Sequence, residues 1–313
     1  MSSHSLPVAM EGKPPLHIPT DGWKAASALA STTSVADAFY ILATSTGAEA
    51  IRRAGSLRSG DDPEILHKLR VALRRLRTLW WAYGPLLEGT DAKKHRADFK
   101  SLACIAGATR DWDVLRHLMQ AEHVMRPRFA ELLADIDEKR AHALALSKSA
   151  LEDSNIEGCL NVAIESARRH LECRPRNPVL VDFAEERVGA AEKVLKKDIT
   201  RAHRDGVTCY ETLHEVRITG KKLRYLLEFF SPVLTCDHQA VIESLTSVQD
   251  ELGKLNDLVT SEALMRQHRF KSAGLAVSGD AIRFLEEEKM RHMETAHAIL
   301  SSVTGGCTDG RES

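Results

Sequence analysis

Aromatic residues are scarce in this chain, with Phe, Trp and Tyr together making 5% of 313 residues. That scarcity argues against a surface built to stack nucleobases, which needs aromatic platforms as well as charge. Cysteines number six and are scattered, with no C-x-x-C pair among them. Zinc ribbons and redox dithiols are therefore not expected, and reduced cytosolic thiols are the simple reading. No run of eighteen apolar residues exists, so no transmembrane helix is expected and no membrane partner. The start, MSSHSLPVAMEGKPPLHIPTDG, lacks a basic n-region followed by an apolar stretch and reads as a flexible leader rather than a signal peptide. No G-x-S-x-G, P-loop or His-Asp doublet occurs, and no cysteine sits in a basic helix. An excess of one charge is also missing: 43 basic residues face 44 acidic ones. That balance excludes a globally basic coat for nucleic acid but leaves room for a local basic site.

Alternating strand patterns are missing too, while apolar residues recur at three- and four-residue spacing almost everywhere. The expected fold class is all-α. Hydrophobic content of 43% and charged content of 28% suit a globular chain with a sizeable core. DDPEILHKLR opens a helix with Asp at the cap, Pro in the first turn and then Glu, and YGPLLEGTD closes it. Further helices are predicted at about 35–54, 91–108, 111–125, 127–150 and 155–171, then at about 179–204, 210–230, 237–252, 257–271 and 277–302. CRPRNPV, with two prolines, marks a break between halves. The expected organisation is a leader over 1–32, a first helical half over 33–172, a second over 179–302 and a disordered tail over 303–313. The stretch RFLEEEKMRHMETAHAIL near the C-terminus reads as a plain surface helix.

Against this neutral background one stretch stands out. HKLRVALRRLR, residues 67–77, carries one histidine and five Lys/Arg with no acid. It also has an echo: LHEVRITGKKLRYLLEFF from 213 repeats LHKLRVALRRLRTLWWAY from 66, with His214 lying 147 residues after His67. Arg217 then matches Arg70, Lys221 matches Arg74, Lys222 matches Arg75, and Arg224 matches Arg77. Downstream, GATRD at 107–111 resembles GKLND at 253–257. A duplicated chain with two basic helices is expected.

With His67 at 0° and about 100° per residue, Arg74 falls near −20°, Arg70 near −60°, Arg77 near −80° and Arg75 near +80°. Leu69, Leu73, Leu76, Leu79 and Trp80 fall on the other side. The second copy has His214, Arg217, Lys221 and Arg224 in front, with Leu213, Val216, Leu223 and Leu227 behind. Solvated helix faces normally mix charge signs, whereas this cationic front repels itself and appears twice. An anion would neutralise it, and the planar fork of arginine suits phosphate oxygens.

The doubled H-x-x-R-x-x-x-[RK]-[RK]-L-R pattern in an all-helical chain resembles the CHAD family, the conserved histidine α-helical domain. The resemblance covers roughly residues 33–302. It implies two helical bundles related by a pseudo-twofold, with basic helices facing a central cavity, and binding of inorganic polyphosphate in the cytoplasm, at polyphosphate granules and beside granule-associated proteins. By match to the motif it implies His67, Arg70, Arg74, Arg75, Arg77, His214, Arg217, Lys221, Lys222 and Arg224 as anion ligands. Arg110-Asp111-Trp112-Asp113 and Asn256-Asp257 also fit the family's pattern. Some members carry an N-terminal triphosphate-tunnel domain, CYTH, with an E-x-E-x-K signature. None is found here, so a stand-alone type without triphosphatase activity is expected.

Each feature has a plainer alternative. His67 and His214 as metal ligands would sit among arginines that repel a cation, so no metal and no cofactor is expected. As imidazolium donors to phosphate they fit better. Asp111 and Asp257 read as caps or as partners that orient the arginines. Trp80 and Trp112 read as core, while Trp81 and Tyr225 lie near the basic fronts and either cover the pocket or stack a base. Secondary candidates for anion contact are Arg52, Arg53, Arg110, Lys197 and Arg201, although Lys/Arg near a helix C-terminus also serves simple dipole compensation. Binding without catalysis is the leading expectation. Single-stranded RNA binding is the alternative, and a phosphohydrolase acting on polyphosphate or nucleotides follows behind it.

Overall fold

The structure, a computed structural model, describes residues 26–305 except 90, 122–128, 208 and 237. Nine helices run through the described residues, with no strand among them. They are α1 (Val35–Ser59), α2 (Pro63–Ala82), α3 (Ala92–Ala121), α4 (Ala130–Asp153), α5 (Ile156–Glu172), α6 (Leu180–Asp205), α7 (Tyr210–Phe230), α8 (Gln239–Gln267) and α9 (Gly274–Gly305). A 3-10 turn, Gly84–Leu86, links α2 to α3. Residues 1–25 of the expected leader and 306–313 of the expected tail lie outside the described residues. Ala26 and Leu29 instead pack into the core, and residues 303–305 continue α9.

Local chemistry sets the helix starts. Ser34 accepts a hydrogen bond from the Asp37 backbone N–H at 3.0 Å, and Asp62 accepts one from the Glu64 N–H at 2.9 Å. Each satisfies one of the donors that a helix N-terminus leaves unpaired. Pro63 follows Asp62 in the first turn, where its missing N–H costs nothing.

Two of the predicted helix breaks are absent. α3 runs unbroken over Ala92–Ala121, through the expected break at 109–110, and α8 runs unbroken over Gln239–Gln267, through the expected break at 253–256. Gly107 and Gly253 stand beside the expected breaks, but a glycine costs a helix only about 1 kcal/mol, and tertiary packing outweighs that. Gly107 has a specific use: a Cβ there would stand 3.3 Å from Arg70 Cζ. The bare backbone lets the guanidinium lie against α3.

Packing order repeats along the chain. α1 packs on α2, α2 on α3 and α3 on α4; later α6 packs on α7, α7 on α8 and α8 on α9. α5 lies outside this pattern and covers α1. The two series meet where α2 touches α7 and where α3 touches α8. One core spans both series, with Phe39, Trp80 and Tyr83 of the first against Phe183 and Phe230 of the second. Tyr83 and Phe183 have ring centroids 4.7 Å apart. A second, smaller core gathers Trp112, Leu115 and Phe129 with Leu258, Met265 and Leu285. α9 is therefore more than a surface helix: Ala281, Leu285, Met293 and Leu300 are buried in these cores. Both basic helices bury the side that the wheel assigned as apolar, from Leu69 to Trp80 on α2 and from Leu213 to Leu227 on α7. Along α3 the first core ends near Ala106 and the second begins at Trp112; along α8 the change falls between Leu255 and Leu258. The polar residues between the two cores open onto a cavity.

Candidate anion-binding site

That cavity has a volume of about 560 Å³ and is walled by α2, α3, α7 and α8. From α2 come His67, Arg70 and Arg74, and from α7 come Arg217, Lys221 and Arg224. Thus six of the ten residues that the repeat singled out meet in one space. Arg110 of α3 and Lys254 of α8 add two more cations, and Asp111, Asp250 and Asp257 supply acid. A smaller cavity of about 240 Å³ adjoins it toward the C-terminal end of α2. Its wall holds Arg74, Arg77, Arg96, Arg217, Lys221 and Lys222, with no carboxylate. A third and larger cavity, about 850 Å³, adjoins the other end and mixes the charges, setting Arg116 against Asp137 and Arg140 against Asp113.

Few of the cations in the first two cavities are neutralised. Arg70 donates from Nη1 to Asp111 Oδ1 and to the Gly107 carbonyl, both at 3.2 Å. Asp111 acts as the expected orienting partner, although burial still holds its carboxyl above the usual range. Arg224 lies 3.4 Å from Glu228. Among the described residues Arg74, Arg77, Arg96, Arg110, Arg217, Lys221 and Lys222 form no ion pair. The cost shows in their protonation. Burial, then Arg217, Arg74 and Arg224, push the Lys221 amine down to about 6. Burial and the neighbouring cations also lower Arg74 and Arg217. His67 falls below its ordinary value through burial and then Arg110, and His214 through burial and then Arg217.

Four of the ten residues stand elsewhere. Arg77 and Lys222 belong to the smaller cavity. Arg75 lines neither: it donates from Nη1 to Glu228 Oε2 at 2.9 Å and lies over the Tyr225 and Phe229 rings. It is a structural tie between α2 and α7, and its place at the edge of the wheel, where the front meets the core, is the reason. His214 also lines neither cavity; its Nδ1 lies 3.1 Å from the Tyr210 hydroxyl, which also bonds Asn256.

Of the secondary candidates, only Arg110 reaches a cavity wall. Arg52 and Arg53 pair with Glu49 within α1. Arg201 pairs with Asp198 and Glu215, and Lys197 is exposed on α6 outside both basic walls. Trp81 carries two cations over its ring, Arg187 and Lys222, each 4.5 Å from the centroid. Tyr225 is 3% exposed and lines the cavities from within. Arg96 and Lys254 are cavity cations that the sequence did not single out, since neither α3 nor α8 carries a copy of the basic motif. Arg77 in the last turns of α2 and Arg96 in the first turns of α3 nonetheless line the same small cavity, because the two helices pack on each other across the short connection.

Fold and site together define an all-helical protein organised around a cation-lined cavity. The family model for the CHAD domain matches residues 45–266, more than half of the chain, and the chain belongs to that family. Among solved structures it is similar to the CHAD domain from the plant Ricinus communis, at a TM-score of 0.78 and 22% identity, covering 93% of this chain and 97% of that one. It is also similar to PptA from Streptomyces chartreusis, at a TM-score of 0.63 and 16% identity, covering 86% and 99%. At these identities the likeness speaks for the fold. No curated protein matches the chain. No helix among the described residues is long and apolar enough to cross a membrane.

Proposed function

We propose that this protein binds inorganic polyphosphate in the cavity between α2 and α7, and that it binds without turnover. The observation that carries this reading is the set of unpaired, mutually repelling cations along the two adjoining walls, Arg74, Arg217 and Lys221 above all. Such a wall lowers the stability of the free protein. A ligand with dense, regularly spaced negative charge relieves it, and phosphate oxygens accept from arginine in pairs. Nucleic acid fits less well. The Trp81 ring already carries two cations and Tyr225 is buried, so both aromatics are engaged within the protein rather than laid out as a stacking platform. Residence on cytoplasmic polyphosphate granules, beside granule-associated proteins, follows from such a ligand.

A filter-binding competition of long polyphosphate against single-stranded RNA at matched phosphate concentration tests the reading. Polyphosphate should displace RNA with at least tenfold preference. RNA competing equally would support the nucleic-acid alternative, and release of phosphate with Mg²⁺ present would support an enzyme.

A further inference from the structure

Three cavities lie in sequence along α2, from the one that includes Pro63, through the central one at His67–Arg74, to the one that includes Trp81. Their charges differ sharply. At the Pro63 end the cations have acids beside them, Asp137 for Arg116 and Asp113 for Arg140. At the Trp81 end six cations share a wall with no carboxylate, and none has an ion pair among the described residues. Three of those six, Arg74, Arg217 and Lys221, also face the central cavity, so the two spaces share one cationic partition. The other three, Arg77, Arg96 and Lys222, belong to the smaller cavity alone. The Trp81 ring lies beneath Lys222 at 4.5 Å, and it holds that amine without cancelling its charge.

We propose that the Arg77–Arg96–Lys222 pocket is a second anion subsite, which takes the continuation of a linear phosphoanhydride chain past the Arg74–Arg217–Lys221 partition. The chain then has a direction: it extends from the central cavity toward the C-terminal end of α2 and not into the charge-balanced cavity at the other end. Arg96 is the diagnostic residue. It lies outside the repeated motif, is exposed, and serves no ion pair that folding needs. The inference rests on the polyphosphate reading, and chain length separates the two. A short chain is held by the central cavity alone, whereas a long chain also engages the second subsite, at the high effective concentration of an intramolecular contact.

The test is calorimetric titration of the full-length protein with tripolyphosphate and with long-chain polyphosphate, for wild type, Arg96→Glu and Lys193→Glu. Lys193 is exposed on α6 and borders neither cavity, so it controls for the same change in net charge. Arg96→Glu should weaken long-chain binding by about tenfold, as for loss of one charge-assisted contact, and leave tripolyphosphate within about threefold, since separated charges are screened at physiological salt. Lys193→Glu should change neither by more than about twofold. Equal losses for both chains, no loss for either, or the same loss in Lys193→Glu would overturn the subsite. Wild type binding neither chain would overturn the polyphosphate reading itself, and the subsite with it.

Discussion

Arg75 Nη1 and Glu228 Oε2 lie 2.9 Å apart although 153 residues separate them in the chain. Both side chains are largely buried, at 12% and 6% exposure, and the pair ties α2 to α7 next to the cationic walls. Removing one member of a buried pair strands the other and costs about 3–5 kcal/mol. Glu228→Ala strands both Arg75 and Arg224, whereas Arg75→Ala leaves Glu228 with Arg224. Glu228→Ala should therefore be the worse of the two, lowering the melting temperature by on the order of 10 °C. Replacing both with Met and Leu should recover most of that loss. Thermal melts of the three variants check the order.

Binding and stability should separate cleanly along α2. Arg74 faces the cavity and Leu73, the next residue inward, is fully buried. A hydrogen bond to a charged group is worth about 1.5–3 kcal/mol, so Arg74→Ala should weaken polyphosphate binding by tenfold or more. The free variant should melt no lower than wild type, because a repelling charge has gone. Leu73→Ala should open a cavity and cost about 2–5 kcal/mol while binding per folded molecule stays unchanged. Melting curves and titrations on the same samples decide it. An unfolded Arg74→Ala with normal residual binding would mean that the two faces are exchanged.

Much of this arrangement is legible in the sequence, because a 3.6-residue period carries the information. Leu69, Leu73 and Leu76 could only be buried if His67, Arg70 and Arg74 were in front, and the second copy imposed the same split on α7. The misses fall where periodicity is silent. Arg75 sits at the edge of the wheel, and only the approach of Glu228 from another helix turns it away from the cavities and into a tie between α2 and α7. Gly107 and Gly253 mark helix ends in local terms, and only tertiary contact shows helices running through them. Arg96 carries no motif and joins the cavity wall beside Arg77 only because α3 packs on α2.

Gly107 should trade binding against stability. A Cβ at this position would meet Arg70 Cζ at 3.3 Å and its two terminal nitrogens at 3.4 and 3.5 Å, so the guanidinium must shift away from Asp111 and the Gly107 carbonyl. Alanine is favoured over glycine inside a helix by up to about 1 kcal/mol. Gly107→Ala should thus melt at or above the wild-type temperature and bind polyphosphate several-fold more weakly. Gly253→Ala is the comparison, since its Cβ would meet nothing within 4 Å. It should gain the same propensity and displace no cation. A Gly107→Ala protein that binds like wild type would show that the placement of Arg70 does not matter to the ligand.

Proton linkage at Lys221 should give free and bound protein opposite responses to pH. In the free protein the amine is pushed down to about 6 from an ordinary 10.5, by burial first and then by Arg217 and Arg224 on its own helix and Arg74 on α2, with Asp257 of α8 opposing. Between those two values the unfolded chain holds the proton more fully than the native state, so the free protein should gain stability as pH rises through this window. His67 and His214, both lowered, add the same sign at and below about 6.5. A bound polyanion reverses the electrostatics: its charge favours the ammonium form, so binding takes up a proton. Affinity for long chains should then fall as pH rises above about 6, by up to tenfold per pH unit for each proton taken up. Lys221→Arg keeps the cation charged throughout and should lower the proton uptake by about one at pH values above 7, leaving only what the histidines contribute. Titrations at several pH values in buffers of different ionisation enthalpy measure the proton uptake directly. A Lys221→Arg protein with the wild-type slope above pH 7 would place the linked proton on another group.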